Sequence, residues 1–272
     1  MDLIATYASL AIGLICASVV AGLMAGFLGV GGGIVLVPVM VWIFGFINFS
    51  PELAMHMAVA TSLATIIFTA IPSARTHHRN GGVLVPVVKK WGPFVAFGAF
   101  TGGLVARFIE PSTLTLIFAV VALLVSVNFL RKTPLVVADR LPDGFSGNVG
   151  IASGIGFVSS LMGIGGGTLG VPVMSAFSVP IKKAVGTSAA MGFLIALPAA
   201  IGFVISGIGV PGRPPLSLGY VSLPAVLLII PITTWLAPVG AGLAHRVDGT
   251  WIKQGFAAFL ALTALRMLHS IL

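Results

Sequence analysis

The chain has 272 residues, of which 58% are hydrophobic and only 7% charged, with a mean hydropathy of +1.15. A soluble domain carries about a quarter of its residues charged, so a soluble architecture is excluded and the solvent of this chain is largely lipid. The formal charge of +8, from 14 Lys and Arg against 6 Asp and Glu, would point to nucleic acid in a soluble protein. Here the basic residues sit in short loops between apolar runs, where they orient a membrane protein, and no nucleic-acid partner is expected.

At about 20 apolar residues per crossing, the length provides about eight to ten membrane segments and no separate soluble domain. Segment A covers Leu3 to Leu28 and is read as a retained first helix, because Met1-Asp2-Leu3 offers no basic leader region. Its Cys16 is the single cysteine, so no internal disulfide forms, and it reads as a small packing residue. Segment B is short, Gly33 to Ile47; C runs from Leu53 to Ile71, D from Val83 to Ala106 and E from Thr113 to Leu130. A polar linker, Arg131 to Asn148, follows, and the pattern restarts: A′ from Val149 to Met162, B′ from Gly167 to Val179, C′ from Ala184 to Ile205, D′ from Leu216 to Ala244, E′ from Trp251 to Leu268.

The restart is visible in the letters. Gly29-Val30-Gly31-Gly32-Gly33 returns as Gly163-Ile164-Gly165-Gly166-Gly167, and Val37-Pro38-Val39-Met40 as Val171-Pro172-Val173-Met174. Ala58-Val59-Ala60-Thr61-Ser62 returns as Ala184-Val185-Gly186-Thr187-Ser188, and Pro72 as Pro198. Several matches in the same order indicate a duplication. If all five segments of each half cross, eleven of the 14 Lys and Arg face the cytoplasm, and only Arg107, Arg213 and Arg266 fall outside, as the positive-inside rule requires. Fusing A and B into one crossing weakens that bias. An odd number of crossings per half inverts the second half relative to the first, a recurring plan of secondary transporters. A dip and return by A–B would preserve the inversion. The expected fold is an all-α polytopic membrane protein of two inverted-topology repeats with glycine-broken short helices. Residues 1–130 form the first repeat, 131–148 a cytoplasmic linker and 149–272 the second repeat.

Each glycine run breaks an apolar stretch and opens a short helix. Broken backbone inside a membrane is tolerated only where protein or water satisfies its amides, and a helix starting at such a break points free N–H groups and a positive dipole end at the gap. Two such breaks are expected to face one another at the repeat interface. The competing role for glycine is close helix packing. Gly31, Gly32, Gly33, Gly165, Gly166 and Gly167 are therefore candidate substrate-binding residues. Thr61, Ser62, Thr187 and Ser188 lie just inside segments C and C′, where their hydroxyls either donate to an anion or bond back to a helix carbonyl.

The segment interiors contain almost no ionisable residues. Glu52 and His56, at the start of C, are candidates for proton coupling or for an interfacial cap. His77-His78 sits in the basic stretch Arg75 to Arg79, read as an orienting loop with too few ligands for a metal. Trp42, Trp91, Trp235 and Trp251 fit interfacial anchoring or packing. The string Gly165-x-Gly167-x-x-Gly170 lacks the strand–turn–helix setting of a dinucleotide site. No P-loop string occurs, and no cofactor is expected.

At the paired G-x-G-G-G…V-P-V-M strings, each followed by A-V-[AG]-T-S, the chain resembles the sulfite exporter TauE/SafE-like family, also called TSUP, over nearly its whole length. That resemblance implies a carrier of small sulfur-containing anions such as sulfite, thiosulfate or an organosulfonate, often outward, in the cell (inner or plasma) membrane. The matching positions are Gly29 to Gly33 with Pro38, and Gly163 to Gly167 with Pro172. The residues agree with it: a sulfonate or sulfite is well held by neutral N–H and O–H donors, whereas a buried Lys or Arg costs more and releases less readily. The reading is an anion transporter, not an enzyme, working by alternating access of the two repeats on a small anionic substrate, with the bilayer as its other partner. A passive anion channel is the second reading. An intramembrane enzyme is the third; its acid–base set is missing, because Asp2, Glu52, Glu110, Asp139, Asp143 and Asp248 all lie near segment ends.

Overall fold

The computed structural model describes residues 3–29, 31–46, 49–131, 136–142, 144–246 and 250–271, with side chains described except at 3–10, 250, 252 and 253. It is almost entirely helical: α1 (Leu3–Leu28), α2 (Gly33–Phe46), α3 (Pro51–Arg79), α4 (Val85–Val105) and α5 (Pro111–Leu130), then α6 (Phe145–Leu161), α7 (Gly167–Ala176), α8 (Ile181–Gly207), α9 (Leu223–Arg246) and α10 (Thr250–His269). Proline at the first or second position starts α3, α4 and α5, where its missing N–H costs nothing. Among the described residues, five helices are long and apolar enough to cross a bilayer: α3, α5, α8, α9 and the Ala11–Leu28 part of α1. The chain is a multi-pass membrane protein.

The packing of the two sets of five is matched. α1 lies on α9 and α6 on α4; α3 lies on α9 and α8 on α4; α2 lies on α3 and α7 on α8. The two matched pairs α3–α8 and α5–α10 pack directly on each other. Glycine makes the closest of these contacts. Gly26 lies against the Ala237 carbonyl, Gly240 against the Leu23 carbonyl, Gly98 against the Ser153 carbonyl and Gly156 against the Val95 carbonyl, each too close for a Cβ. Small residues let backbones approach where no hydrophobic force draws helices together.

These contacts also fix helix direction. Gly22 sits beside Thr233 and Gly26 beside Ala237 and Ala241, so α1 and α9 run the same way. Thr61 meets Ser222 just before α9, Thr69 meets Thr233 and His77 meets His245, so α3 runs with them. His77 Nε2 lies 2.9 Å from the Gly26 carbonyl, so α1 reaches the level of the end of α3. The chain must then return to Pro51 before α3 begins. It does so through the glycine turns, where Gly29, Gly31 and Gly32 have left-handed φ, and α2, whose 14 residues span about 21 Å. The A–B unit is thus a long helix followed by a full return of half loop, half helix.

Several element ends depart from the sequence expectation. Segment C was expected to stop at Ile71, but α3 runs through Pro72 to Arg79. His77 and His78 therefore lie in the last turn of a helix and not in a loop, because His77 is held by the Gly26 carbonyl and by His245. α6 starts at Phe145, ahead of the expected start of A′ at Val149, and the Asn148 amide donates to the Pro142 and Gly144 carbonyls at 2.7 and 2.6 Å. The start of D′ is not helix. Ser217–Leu218 (β1) and Val221–Ser222 (β2) form a small antiparallel hairpin ahead of α9. Cys16 is exposed, not packed, since its side of α1 turns away from the bundle. Of the tryptophans, Trp91 is a packing residue, buried and donating to Asn148 Oδ1 at 2.7 Å. Trp235 and Trp251 are largely exposed, and Trp42 lies under the Arg266 guanidinium at 4.7 Å.

Candidate functional site

The two glycine breaks meet where the halves cross. Gly31 has a left-handed φ of +79°, and a Cβ there would stand 3.0 Å from Gly165 Cα and 3.1 Å from Ile66 Cγ2. Gly33 lies directly on the Gly163 carbonyl, with Ser62 Oγ 2.7 Å from where its Cβ would be. At Gly31 both the dihedral and the space demand glycine. Gly32 instead turns toward α1, where a Cβ would stand 2.9 Å from the Ala21 carbonyl, and Gly166 toward α8, where a Cβ would stand 2.6 Å from the Ser188 carbonyl. α2 and α7 begin here, their first bonds closing on Gly32 and Gly166. Their leading N–H groups have no carbonyl behind them within the helix.

The four hydroxyls expected at the breaks are all fully buried, but they differ in what they do. Thr61 Oγ1 accepts the Ser222 N–H at 3.0 Å, and Thr187 Oγ1 accepts the Leu84 N–H at 2.9 Å. These are matched pins. Each ties the segment entering α9 or α4 onto the core helix of the other half. Ser62 Oγ donates to the Gly163 carbonyl at 2.7 Å and so fastens α3 to the second break. Ser188 Oγ has no hydrogen-bond partner; it lies 2.6 Å from where a Cβ of Gly170, in the first turn of α7, would stand.

The structure adds residues that sequence reasoning missed. A narrow crevice, too tight to hold a water molecule, runs from Gly31 and Gly192 toward Ser73 and the Gly29 turn, with Thr69 and Ala189 on its walls. Ser73 Oγ is buried and unpartnered, and so is Thr168 Oγ1 at the second position of α7. Thr69 Oγ1 is held between the Thr65 carbonyl and Thr233 Oγ1, both at 3.0 Å. An isolated Ser or Thr in an apolar run is a weak sequence signal. Only the three-dimensional neighbourhood distinguishes a hydroxyl that bonds back to its own helix from one left open.

His56 and Glu52 do not join the glycine crossing. His56 is buried, its Nε2 lies 2.9 Å from the Ala106 carbonyl, and its ring stacks on Tyr220 of the hairpin at 5.1 Å. A ring nitrogen facing a carbonyl carries the proton, so Nδ1, which has no partner, is the lone-pair side. Burial pushes the Tyr220 phenol above its usual range, against the opposing pull of Arg107 and Arg213, so it stays neutral. Glu52 is exposed in the first turn of α3, where a carboxylate complements the helix dipole. Among the described residues no cluster of His, Cys, Asp or Glu could hold a metal.

With this geometry in place, comparison with known proteins is informative. The family model described as "Sulfite exporter TauE/SafE" matches residues 14–267. A "Probable membrane transporter protein" of Haemophilus influenzae is 36% identical over 249 residues, covering 91% of this chain and 94% of that protein. A probable membrane transporter protein of Methanocaldococcus jannaschii is 25% identical over 94% of each chain. One of Bacillus subtilis is 27% identical over 71% of this chain and 78% of its own. No solved structure matches.

Proposed function

The chain belongs to the sulfite exporter TauE/SafE family of membrane transporters, and on that premise we propose that it is a secondary carrier exporting a small sulfur-containing oxyanion such as sulfite, thiosulfate or an organosulfonate. Its place is the cell's inner (plasma) membrane, and its two halves are inverted repeats that rock about the α3–α8 contact. One observation carries the reading: two glycine breaks meet mid-bundle, Gly31 against Gly165, ringed by buried hydroxyls and no ionised side chain. Neutral donors bind an oxyanion without the desolvation cost of a buried Lys or Arg, and weakly enough to release it.

Two packing facts support inversion. α1, α3 and α9 run one way. At the α3–α8 crossing Ala70 faces Gly192 while Ile66 and Ala196 cluster beside it, so α8 runs against its matched partner α3. His56 is the candidate for proton coupling, being buried beneath the hairpin with a free Nδ1.

Flux of sulfite, thiosulfate and methanesulfonate into proteoliposomes, with and without a pH gradient, tests the assignment. Saturable flux of at least one anion is expected. Gly32→Leu and Gly166→Leu should abolish it, and size-exclusion behaviour in detergent separates a blocked carrier from a misfolded one. Undiminished flux in both variants would remove the glycine breaks from the pathway.

A further inference from the structure

The two breaks have the same backbone but not the same chemistry. In the first, position 34 is Ile, fully buried, and the nearby Ser62 hydroxyl is already spent on the Gly163 carbonyl. In the second, the matching position is Thr168, and the matching serine is Ser188. Both are fully buried and neither hydroxyl has a partner. Leu36 of the first break is matched by Gly170 in the second, and the space that Leu would fill is where Ser188 Oγ sits. A buried hydroxyl without a partner carries a desolvation penalty. Here one stands at the second position of the ten-residue helix α7 and the other, on α8, beside Gly170 two positions on, and the leading α7 N–H groups have no carbonyl partner within the helix.

We propose that the transported oxyanion is bound in the second half only, at the N-terminus of α7, by the hydroxyls of Thr168 and Ser188 together with the leading α7 amides. The inference deepens the transport reading and rests on it. Two O–H donors and adjacent N–H donors match an anion that presents several oxygens from one sulfur. The crevice, closed to water here, is the line along which access would open: Gly192 lines it and stands beside the break, 4.0 Å from its Cβ position to the Gly166 nitrogen. The first break then serves as the fixed wall, closed by Ile34 and the Ser62 bond.

The test uses the full chain in proteoliposomes with sulfite as the probe, comparing Thr168→Val, Ser188→Ala and, as control, Thr234→Val. Thr234 on α9 is another hydroxyl without a partner, remote from α7. A lost hydrogen bond to a charged ligand corresponds to about a tenfold or larger rise in KM. The rise is expected in Thr168→Val and Ser188→Ala and absent in Thr234→Val. Thermal stability without anion is measured in parallel. All three variants remove an unsatisfied buried hydroxyl, so their Tm should hold or rise, while stabilisation by added sulfite should shrink only in the two α7-site variants. Saturable wild-type flux with unchanged KM in both would overturn this seat and leave the transport reading standing. A wild type that moves none of sulfite, thiosulfate and methanesulfonate overturns both.

Discussion

The two ends of the α3–α8 pair carry positions that match in the recurring strings of the sequence and yet are built oppositely. Toward His77 the walls are Thr69, Ala70, Ser73, Ala189 and Gly192, which leave the crevice. The matching positions toward His56 are Ile195, Ala196, Ala199, Leu63 and Ile66, all fully buried. Three of these five are branched, and that end is lidded by the hairpin, whose Tyr220 packs on His56 and Phe203. Side-chain size separates the crevice from this plug: Thr69, Ala189 and Gly192 are matched by the larger Ile195, Leu63 and Ile66.

The strongest way to break this comparison is to give the crevice the residue of the plug. Gly192→Ile should raise the barrier to passage by about 3 kcal/mol, about a hundredfold in rate, with the protein still extractable as a folded species. Proteoliposome flux and size-exclusion behaviour measure both. A labelling experiment sharpens it further. On a Cys16→Ser background, needed because Cys16 is exposed, Ser73→Cys should react with a membrane-impermeant thiol reagent faster than its counterpart Ala199→Cys. The ratio should be about tenfold, since a 1.4 kcal/mol difference in opening free energy gives that factor. Equal rates would mean that both ends open alike.

Smaller effects test the pins. Ser62→Ala leaves the Gly163 carbonyl unpaired at the crossing and should cost about 1 kcal/mol, seen as a lower midpoint of thermal unfolding in detergent. The smallest expected term is the Thr69–Thr233 bond between α3 and α9. A double-mutant cycle with Val at both positions should return about 0.6 kcal/mol, the usual coupling for hydroxyls between membrane helices.

Much of this was legible before any coordinates. Hydropathy marked the ten apolar segments, and the repeated glycine and A-V-x-T-S strings marked the duplication. The same strings named Gly31, Gly33, Thr61, Ser62, Thr187 and Ser188 as candidate substrate-binding residues, and the structure brings Gly31, Gly33 and Ser62 to the crossing of the breaks. Helix ends were less legible. Pro72 looked like a terminus, yet α3 passes through it because His77 gains the Gly26 carbonyl beyond. The hairpin before α9 was hidden in a hydrophobic run, since Leu216, Leu218 and Tyr220 read the same in a strand or a helix.

What the sequence determined by itself is the solvent and the family: these follow from composition and from motifs carried in the letters, which need no knowledge of contacts. What only the tertiary structure decided is which hydroxyls are spent and which are open. Thr61, Thr187 and Ser62 are satisfied by backbone groups as many as 161 positions away, while Ser188 and Thr168 are not satisfied at all. Hydrogen-bond saturation is a property of the assembled neighbourhood, so identical Thr-Ser pairs in a duplicated chain can end with different chemistry.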